Sequence, residues 1–243
     1  EIDLFWKNND AADRTGITEI KYIEGLYAFW DYLLERFPGL IIDNCASGGR
    51  RIDLESTSRS IPLWRTDYNY GEPVGYQCHT YGLNLYLPLH GTGTHKTDKF
   101  TFRSSLGTSI VYNWKVTEGE FSITEMQARQ AEFKKLRPYF YEDYYPLTST
   151  AETTSDSIWL AYQLHRESDN SGYVIAFRRA LASADSCKVQ LKGLAQKQLY
   201  SIVNEDTGEE IKKRGSELES GLMLELKDPT SSLLLKYCAD NMR

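Results

Sequence analysis

The sequence lacks several features that would place the chain in a specialised class. No run approaches the roughly 20 apolar residues of a membrane-spanning helix, so the sequence predicts no such helix. Basic residues number 28 against 34 acidic ones, and this net charge of −6 offers no footprint for nucleic acid. The N-terminus has no basic or apolar region of the kind found in signal peptides, and no initiator Met, so we expect a processed or cut chain.

Cysteine is scarce and widely spaced. Cys45, Cys78, Cys187 and Cys238 form no CxxC pair, which argues against a zinc site or a disulfide framework. Four free thiols fit a reducing compartment only weakly. The compartment therefore stays open between the cytoplasm and the periplasm.

Aromatic residues, in contrast, are abundant. The 17 Tyr, 9 Phe and 5 Trp make up 13% of the chain, within an otherwise ordinary globular composition that excludes a disordered tail or a coiled coil. Aromatic rings suit a core and also platforms that stack on sugars. A complete (β/α)₈ barrel takes about 250 residues, so 243 residues cannot hold a whole barrel and a second domain.

The first half alternates helix and strand patterns, which favours a parallel sheet with crossover helices. Apolar spacing predicts a helix from Thr18 to Arg36, with Thr15 or Thr18 as its cap. Ser122 and Glu125 form a capping box for a second long helix, with Phe121 at a staple position. A short helix is predicted over Ile52 to Arg59. The strand candidates are Leu40 to Ile42, Ile61 to Thr66, Leu85 to Leu89 and Ser109 to Trp114.

The second half changes to short apolar runs separated by turn residues. Six strands predict an antiparallel sandwich of about 90 residues, and the polar stretch from Thr148 to Ser157 marks its start. We therefore predict two domains, residues 1–150 and 151–243. The predicted strands begin near Ile158, Tyr173, Lys188, Leu199, Leu222 and Leu233.

Two predicted strand ends carry polar or small residues. In α/β barrels the chemistry lies at the carboxyl ends of strands, so the loop from Asp43 to Gly49 and the strand end at Asp67 are candidate sites. Taken alone, a Gly-Gly pair is most often a turn, and an Asp after a strand is most often a helix cap or a solvated loop residue. Trp64 and Trp114 are interpreted as core residues. Among the histidines, His95 is the best functional candidate because it follows the loop from Gly91 to Thr94.

The motifs together are more specific. The run from Asp43 to Leu54 resembles the N-C-A-S-G-G-x-R-x-D-L signature of the alpha-galactosidases of glycoside hydrolase family 36. The segment from Leu63 to Asp67 resembles the x-W-T-S-D strand of that family, and the segment from Gly91 to His95 resembles its M-G-S-H turn. The resemblance covers roughly Ala11 to Trp114.

The resemblance implies a retaining alpha-galactosidase, with a (β/α)₈ barrel followed by a C-terminal β-sandwich and no metal or organic cofactor. The fold expected here is α/β plus all-β, namely the C-terminal half of the barrel and then the sandwich. By the motif match Asp67 is the general acid/base, and Cys45, Ser47, Gly48 and Gly49 line the galactose subsite. Arg65 is expected to hold sugar hydroxyls or to tune Asp67. The expected partner is an alpha-galactoside-containing oligosaccharide or polysaccharide, with no nucleic acid and no membrane.

No segment matches the nucleophile motif of that family. Glu1 to Leu4 resembles the segment just after it, so Asp3 is a poor candidate. We expect the nucleophile upstream of Glu1, and this chain alone to be inactive. A half barrel has exposed sheet edges, so pairing in a homo-oligomer is expected. Arg65 and Tyr68 depart from the motif, which keeps two alternatives open: a related alpha-glycosidase for another sugar, and a non-catalytic carbohydrate-binding fragment.

Overall fold

The computed structural model describes residues 2–46, 48–67, 72–115, 117 and 122–240. The chain divides into two compact units, Glu1–Pro62 (unit 1) and Leu63–Arg243 (unit 2), and each is described by itself. This division falls inside the segment from Ile61 to Thr66 that we predicted as a strand. The predicted domain boundary at residue 150 stays a prediction.

The described residues of unit 1 form three helices and one parallel bridge. The helices are α1 (Ile2–Asn9), α2 (Ile17–Arg36) and α3 (Leu54–Thr57). The bridge joins Asp43 to Ile61, and the amide of Asn44 donates to the carbonyl of Ile61 at 3.0 Å. The segments at 40–42 and 61–66 were predicted as strands; in the described residues this bridge, next to the first segment, is their one β-pairing with each other.

The start of α2 is fixed by a residue that the sequence pattern does not single out. Its N-cap is Gly16, at a positive φ of 95°. The carboxylate of Asp10 accepts hydrogen bonds from the amides of Gly16 at 2.5 Å and Thr18 at 2.9 Å, which satisfies the free donors of the first turn. The predicted caps Thr15 and Thr18 were therefore wrong. Of the apolar face of α2, only Trp30 is buried.

Unit 2 begins with a parallel pair of strands among helices. Strand β1 (Gly91–Thr94) pairs in parallel with β2 (Ser109–Tyr112), and the helices are α4 (Pro73–Leu83), α5 (Lys99–Ser104) and α6 (Ile123–Leu136). The amide of Arg65 donates to the carbonyl of Gly91 at 2.9 Å, which aligns the segment ending at Asp67 beside β1. Ser122 caps α6 as predicted, whereas Phe121 lies outside the described residues.

One predicted strand of this region was wrong. Residues 85–89 follow the C-cap of α4 at Asn84, and the amides of Leu85, Tyr86 and Leu87 bond back to the carbonyls of Gly82 and Leu83. An apolar run after a helix is ambiguous by pattern alone. The parallel strands formed by the described residues are β1 and β2, so the predicted half barrel stays a prediction.

The C-terminal part of unit 2 is antiparallel, as predicted. A six-stranded sheet runs in the order β3-β4-β5-β10-β7-β8, and a two-stranded sheet joins β6 to β9. Two strands of the larger sheet, β3 and β8, were not predicted. The strands are β3 (Asp143–Pro146), β4 (Trp159–Arg166), β5 (Ser171–Arg178), β6 (Ser186–Val189), β7 (Leu199–Asn204), β8 (Glu210–Arg214), β9 (Leu222–Glu225) and β10 (Ser231–Ala239); α7 (Gly215–Ser220) lies between β8 and β9.

The central strands β4 and β5 of the six-stranded sheet are buried on both faces. Alternate residues of β4 and β5, such as Tyr162 and Phe177, pack against aromatic residues of α5 and α6, including Phe100 and Phe133. The intervening residues pack against β6, β9 and the buried Leu218 of α7. Two layers on one sheet are consistent with the predicted C-terminal sandwich.

Candidate active site

The small-residue loop of unit 1 is anchored by Asn44. This side chain is buried, and its amide donates to the Ser60 hydroxyl at 2.5 Å, which in turn donates to the Ser56 carbonyl at 2.6 Å. Asp53 caps α3 by accepting from the amide of Ser56 at 2.9 Å. Burial opposes ionisation of Asp53, but the hydrogen bonds from Ser56 outweigh it and lower the pKa of the carboxyl.

The loop then presents backbone and one thiol to the surface. Cys45 is exposed and free. Gly48 and Gly49 adopt φ of 59° and 73°, the left-handed region that glycine occupies without strain. Ser47, which was also predicted to bind the sugar, lies outside the described residues. The glycines therefore give the loop a backbone that a ligand can approach closely.

Beside this loop unit 1 holds a cavity of about 410 Å³ that the sequence did not indicate. Its walls include Trp6, Tyr22, Arg50 and Arg51. The rings of Trp6 and Tyr22 lie 5.3 Å apart between centroids. These residues come from α1, α2 and the loop, and no single sequence motif spans them.

In unit 2 the predicted acid/base, Asp67, is exposed. The indole N–H of Trp64 donates to Asp67 Oδ1 at 2.6 Å. Trp64 is half-buried, so its interpretation as a core residue was wrong, whereas Trp114 is buried as predicted. Residues three apart lie on opposite faces of a strand, and the bends at Trp64 and Asp67 are what bring these two side chains together.

Arg65 faces the interior of unit 2 and is 1% exposed. Its guanidinium donates to the Thr80 hydroxyl at 2.9 Å and the Tyr76 carbonyl at 2.9 Å, and it contacts Nδ1 of His90 at 3.0 Å. Burial lowers the pKa of Arg65 to about 10. These contacts are internal, and they do not support the expectation that Arg65 holds sugar hydroxyls or tunes Asp67. The departure from the family motif at this position is thus a feature of the packing.

His95, the histidine that the sequence favoured as a functional candidate, follows β1. It is half-buried, and burial lowers its pKa. In the described ranges no three His, Cys, Asp or Glu side chains come close enough to share a metal ion. No helix of those same ranges is both long and apolar enough to cross a bilayer.

Comparisons with known proteins show what this chain is similar to. The chain is 25% identical over 206 residues to alpha-galactosidase AgaA of Geobacillus stearothermophilus, covering 78% of this chain and 27% of that protein. It is 24% identical over 207 residues to the bifunctional alpha-galactosidase/sucrose kinase AgaSK of Mediterraneibacter gnavus, covering 79% of this chain and 22% of that protein. No family model matches the sequence.

The fold agrees with these likenesses. The crystal structure of a GH36 alpha-galactosidase AgaA variant in complex with raffinose superposes on 96% of this chain with a TM-score of 0.75, at 23% identity. The match covers 33% of the AgaA chain, and the chain spans about a quarter of the length of the curated relatives above. The resemblance read from the motifs is confirmed: over about four fifths of its length the chain is similar to alpha-galactosidases of glycoside hydrolase family 36, consistent with a fragment of that family.

Proposed function

We propose that this chain supplies the general acid/base of an enzyme that hydrolyses terminal alpha-galactosides with retention of configuration. Asp67 is that acid/base. The observation that carries the proposal is the exposed Asp67 carboxylate, held through one oxygen by the Trp64 indole at 2.6 Å. No described residue donates a hydrogen bond to its other oxygen, Oδ2, which we propose faces the substrate.

The chemistry needs two carboxylates about 5–5.5 Å apart. Asp67 as the acid protonates the leaving oxygen, and as the base it then activates water. The second carboxylate is the nucleophile, and no segment of this sequence matches its motif. We therefore expect the 243 residues alone to be inactive, and every test of activity uses the complete protein.

The finer features of the architecture belong to the same proposal. We propose that residues 1–150 form the C-terminal half of a (β/α)₈ barrel and that residues 151–243 form its β-sandwich. Cys45, Ser47, Gly48 and Gly49 are proposed to bind galactose, which the surface position of Cys45 and the left-handed backbone of the two glycines support. The substrate class is an alpha-galactoside-containing oligosaccharide or polysaccharide, and the assembly is a homo-oligomer.

Replacing the carboxyl of Asp67 tests the proposal directly. In the complete protein Asp67→Asn is expected to lower hydrolysis of a substrate with a poor leaving group by about 10²–10⁴-fold, the usual contribution of general acid/base catalysis. A nitrophenyl alpha-galactoside, whose leaving group needs no proton, loses less in kcat/KM. Azide restores part of the turnover because it attacks the glycosyl-enzyme without a base. Wild-type activity in this variant would overturn the assignment.

Two alternative functions would each give a different experimental result. The departure from the motif at Tyr68, next to Asp67, motivates a different sugar, and strongest turnover of a non-galactoside in a panel of nitrophenyl alpha-glycosides would establish it. A non-catalytic carbohydrate-binding role predicts sugar binding by calorimetry without hydrolysis in the complete protein.

A further inference from the structure

The contact between Trp64 and Asp67 has a consequence for the protonation of the carboxyl. An indole N–H only donates, so the Oδ1 atom that it contacts at 2.6 Å is an acceptor. That oxygen can accept whether Asp67 is ionised or protonated. In a protonated carboxyl the carbonyl oxygen is the better acceptor, so this contact favours Oδ1 as the carbonyl oxygen and the hydrogen on Oδ2.

We propose that Trp64 is the positioning residue of Asp67, which directs the acidic proton to Oδ2. This inference rests on the proposed function. In the first step the Oδ2–H bond breaks and the proton moves to the glycosidic oxygen. The C1–O bond breaks with its electron pair left on that oxygen, and a carboxylate nucleophile forms the new bond to C1. In the second step Oδ2 takes a proton from the water that attacks C1, and the nucleophile leaves.

The indole itself packs against β1. A Cβ added to Gly93 of β1 would lie 2.9 Å from Cζ3 of Trp64 and would collide with the side-chain amide of Asn113. The ring therefore lies directly against a backbone position that has no side chain. Gly93 keeps the space in which the indole can point its N–H at Asp67.

Three substitutions distinguish a positioning role of Trp64 from a packing role. Trp64→Phe removes the N–H donor together with the outer ring carbons that face Gly93. Gly93→Ala keeps the donor and displaces the ring. Trp114→Phe is the matched control, since the indole N–H of this buried Trp has no hydrogen-bond partner among the described residues.

The experiment measures kcat/KM of the complete protein for two substrates, a nitrophenyl alpha-galactoside and an alpha-galactoside with an unactivated sugar leaving group. Loss of a hydrogen bond to a charged group corresponds to about tenfold or more in rate. Trp64→Phe and Gly93→Ala are each expected to lower kcat/KM for the unactivated substrate by about tenfold, and to leave the nitrophenyl substrate nearly unchanged. Trp114→Phe is expected to leave the ratio of the two substrates at its wild-type value.

An equal loss for both substrates in Trp64→Phe and Gly93→Ala, or no loss in either variant, would overturn the positioning role. Failure of the proposed function gives a different result, since Asp67→Asn itself would then show no dependence on the leaving group. The loss of activity could also depend on the leaving group in Asp67→Asn but not in Trp64→Phe or Gly93→Ala. That result would refute the role of Trp64 and leave the role of Asp67 intact.

Discussion

Two buried side chains that can each carry a positive charge share a hydrogen bond in unit 2. Nη1 of Arg65 lies 3.0 Å from Nδ1 of His90, and Nε2 of His90 lies 3.0 Å from Oδ1 of Asn84. Arginine only donates, so Nδ1 is the acceptor and the ring proton is on Nε2. Burial, followed by the charge of Arg65, holds the pKa of His90 well below its usual range. The neutral imidazole is therefore part of the folded structure.

The neutral state of His90 predicts a loss of stability in mild acid. As the pH falls below about 6.5 the unfolded chain binds a proton at His90 that the folded chain does not bind. This contribution to the free energy of unfolding is complete above that pH and decreases below it. His90→Gln retains a side-chain acceptor for Arg65 and removes the titration.

Urea unfolding at several pH values between 7 and about 5 would measure this effect. The slope of stability against pH is expected to be shallower in His90→Gln than in the wild type. It does not vanish, because His79 is half-buried, and burial and the charge of Arg65 lower the pKa of His79 to about 4. An identical slope in the two proteins would contradict the prediction, whatever the absolute stability of the variant.

At the scale of elements, a glycine in β5 is required by the tyrosine across from it. Gly172 pairs with Tyr237 of β10, and a Cβ at this glycine would overlap the Tyr237 hydroxyl and the carbonyl of Leu164. The Tyr237 hydroxyl accepts from the amide of Gln163 at 2.7 Å. The absence of a side chain at Gly172 therefore makes room for a buried polar contact within the sheet.

Gly172→Ala is expected to lower the free energy of unfolding by about 1–3 kcal/mol, as overpacking of a core does. Gly82→Ala is the matched control, because Gly82 is in α4 and, apart from the neighbouring residues and backbone of its own helix, no atom of the described residues lies within 4 Å of the place that an added methyl group would take. Removing a helical glycine is expected to raise stability by up to about 1 kcal/mol. Chemical denaturation of both variants gives the comparison, and equal stabilities would refute the argument.

The helices that the sequence predicted are those whose pattern lies within their own residues. The helix from Ile17 to Arg36 and the helix after Ser122 have apolar spacing or a capping box in their own residues. Strand β8 escaped prediction because its residues, Glu210 to Arg214, are mostly charged and take strand form by pairing with β7. The role of Asp10 at the start of α2 escaped for the same reason, since it acts across six to eight residues.

The candidate site likewise has features that the sequence predicted and features that it did not. Asp67 and the loop from Asp43 to Gly49 were predicted because their residue types form contiguous motifs. The contact from Trp64 to Asp67 was not predicted, because alternation along a strand predicts that these side chains point apart. Bends in the chain bring them together. The burial of Arg65 depends on Tyr76, Thr80 and His90, which no motif connects.

At the scale of the molecule, the aromatic excess is largely accounted for by the core of unit 2. The face of the six-stranded sheet that meets α5 and α6 is lined mostly by rings, and several meet edge-on, as Phe100 and Phe177 do with centroids 5.8 Å apart. Edge-on pairs add to the free energy of burial. In unit 1, by contrast, Phe29 and Tyr32 of α2 are exposed. The rings of unit 2 thus join helices and sheet in one hydrophobic core.

A buried ion cluster joins the same layers. Arg103 of α5 is 1% exposed, and it donates to Glu132 of α6 at 2.8 Å and to Asp206 of the turn after β7 at 2.7 Å. Lys99 contacts Asp206 as well, at 2.6 Å. Burial opposes ionisation of Asp206, but hydrogen bonds and the charges of Arg103 and Lys99 outweigh it and lower the pKa of the carboxyl. One guanidinium thus connects two helices and the sheet.

Removing this guanidinium leaves two carboxylates without their main partner. Arg103→Met is expected to lower the free energy of unfolding by about 3–5 kcal/mol, the usual effect of breaking a buried pair. Lys212→Met is the control, since the contact of Lys212 with Asp240 at 2.6 Å is at the surface and little change is expected. Equal effects of the two substitutions in denaturant unfolding would refute the structural role of Arg103.

The pH dependence of the Arg103→Met effect gives a second, independent measurement. A carboxyl whose pKa is lowered by folding stabilises the protein above its unfolded pKa of about 3.9, and this contribution decreases as the pH falls through the folded pKa. The difference in stability between wild type and Arg103→Met is therefore expected to be constant from pH 7 to about 5 and to shrink below about 4. A difference independent of pH down to the acid transition would mean that Arg103 acts through packing, with no contribution from its ion pairs.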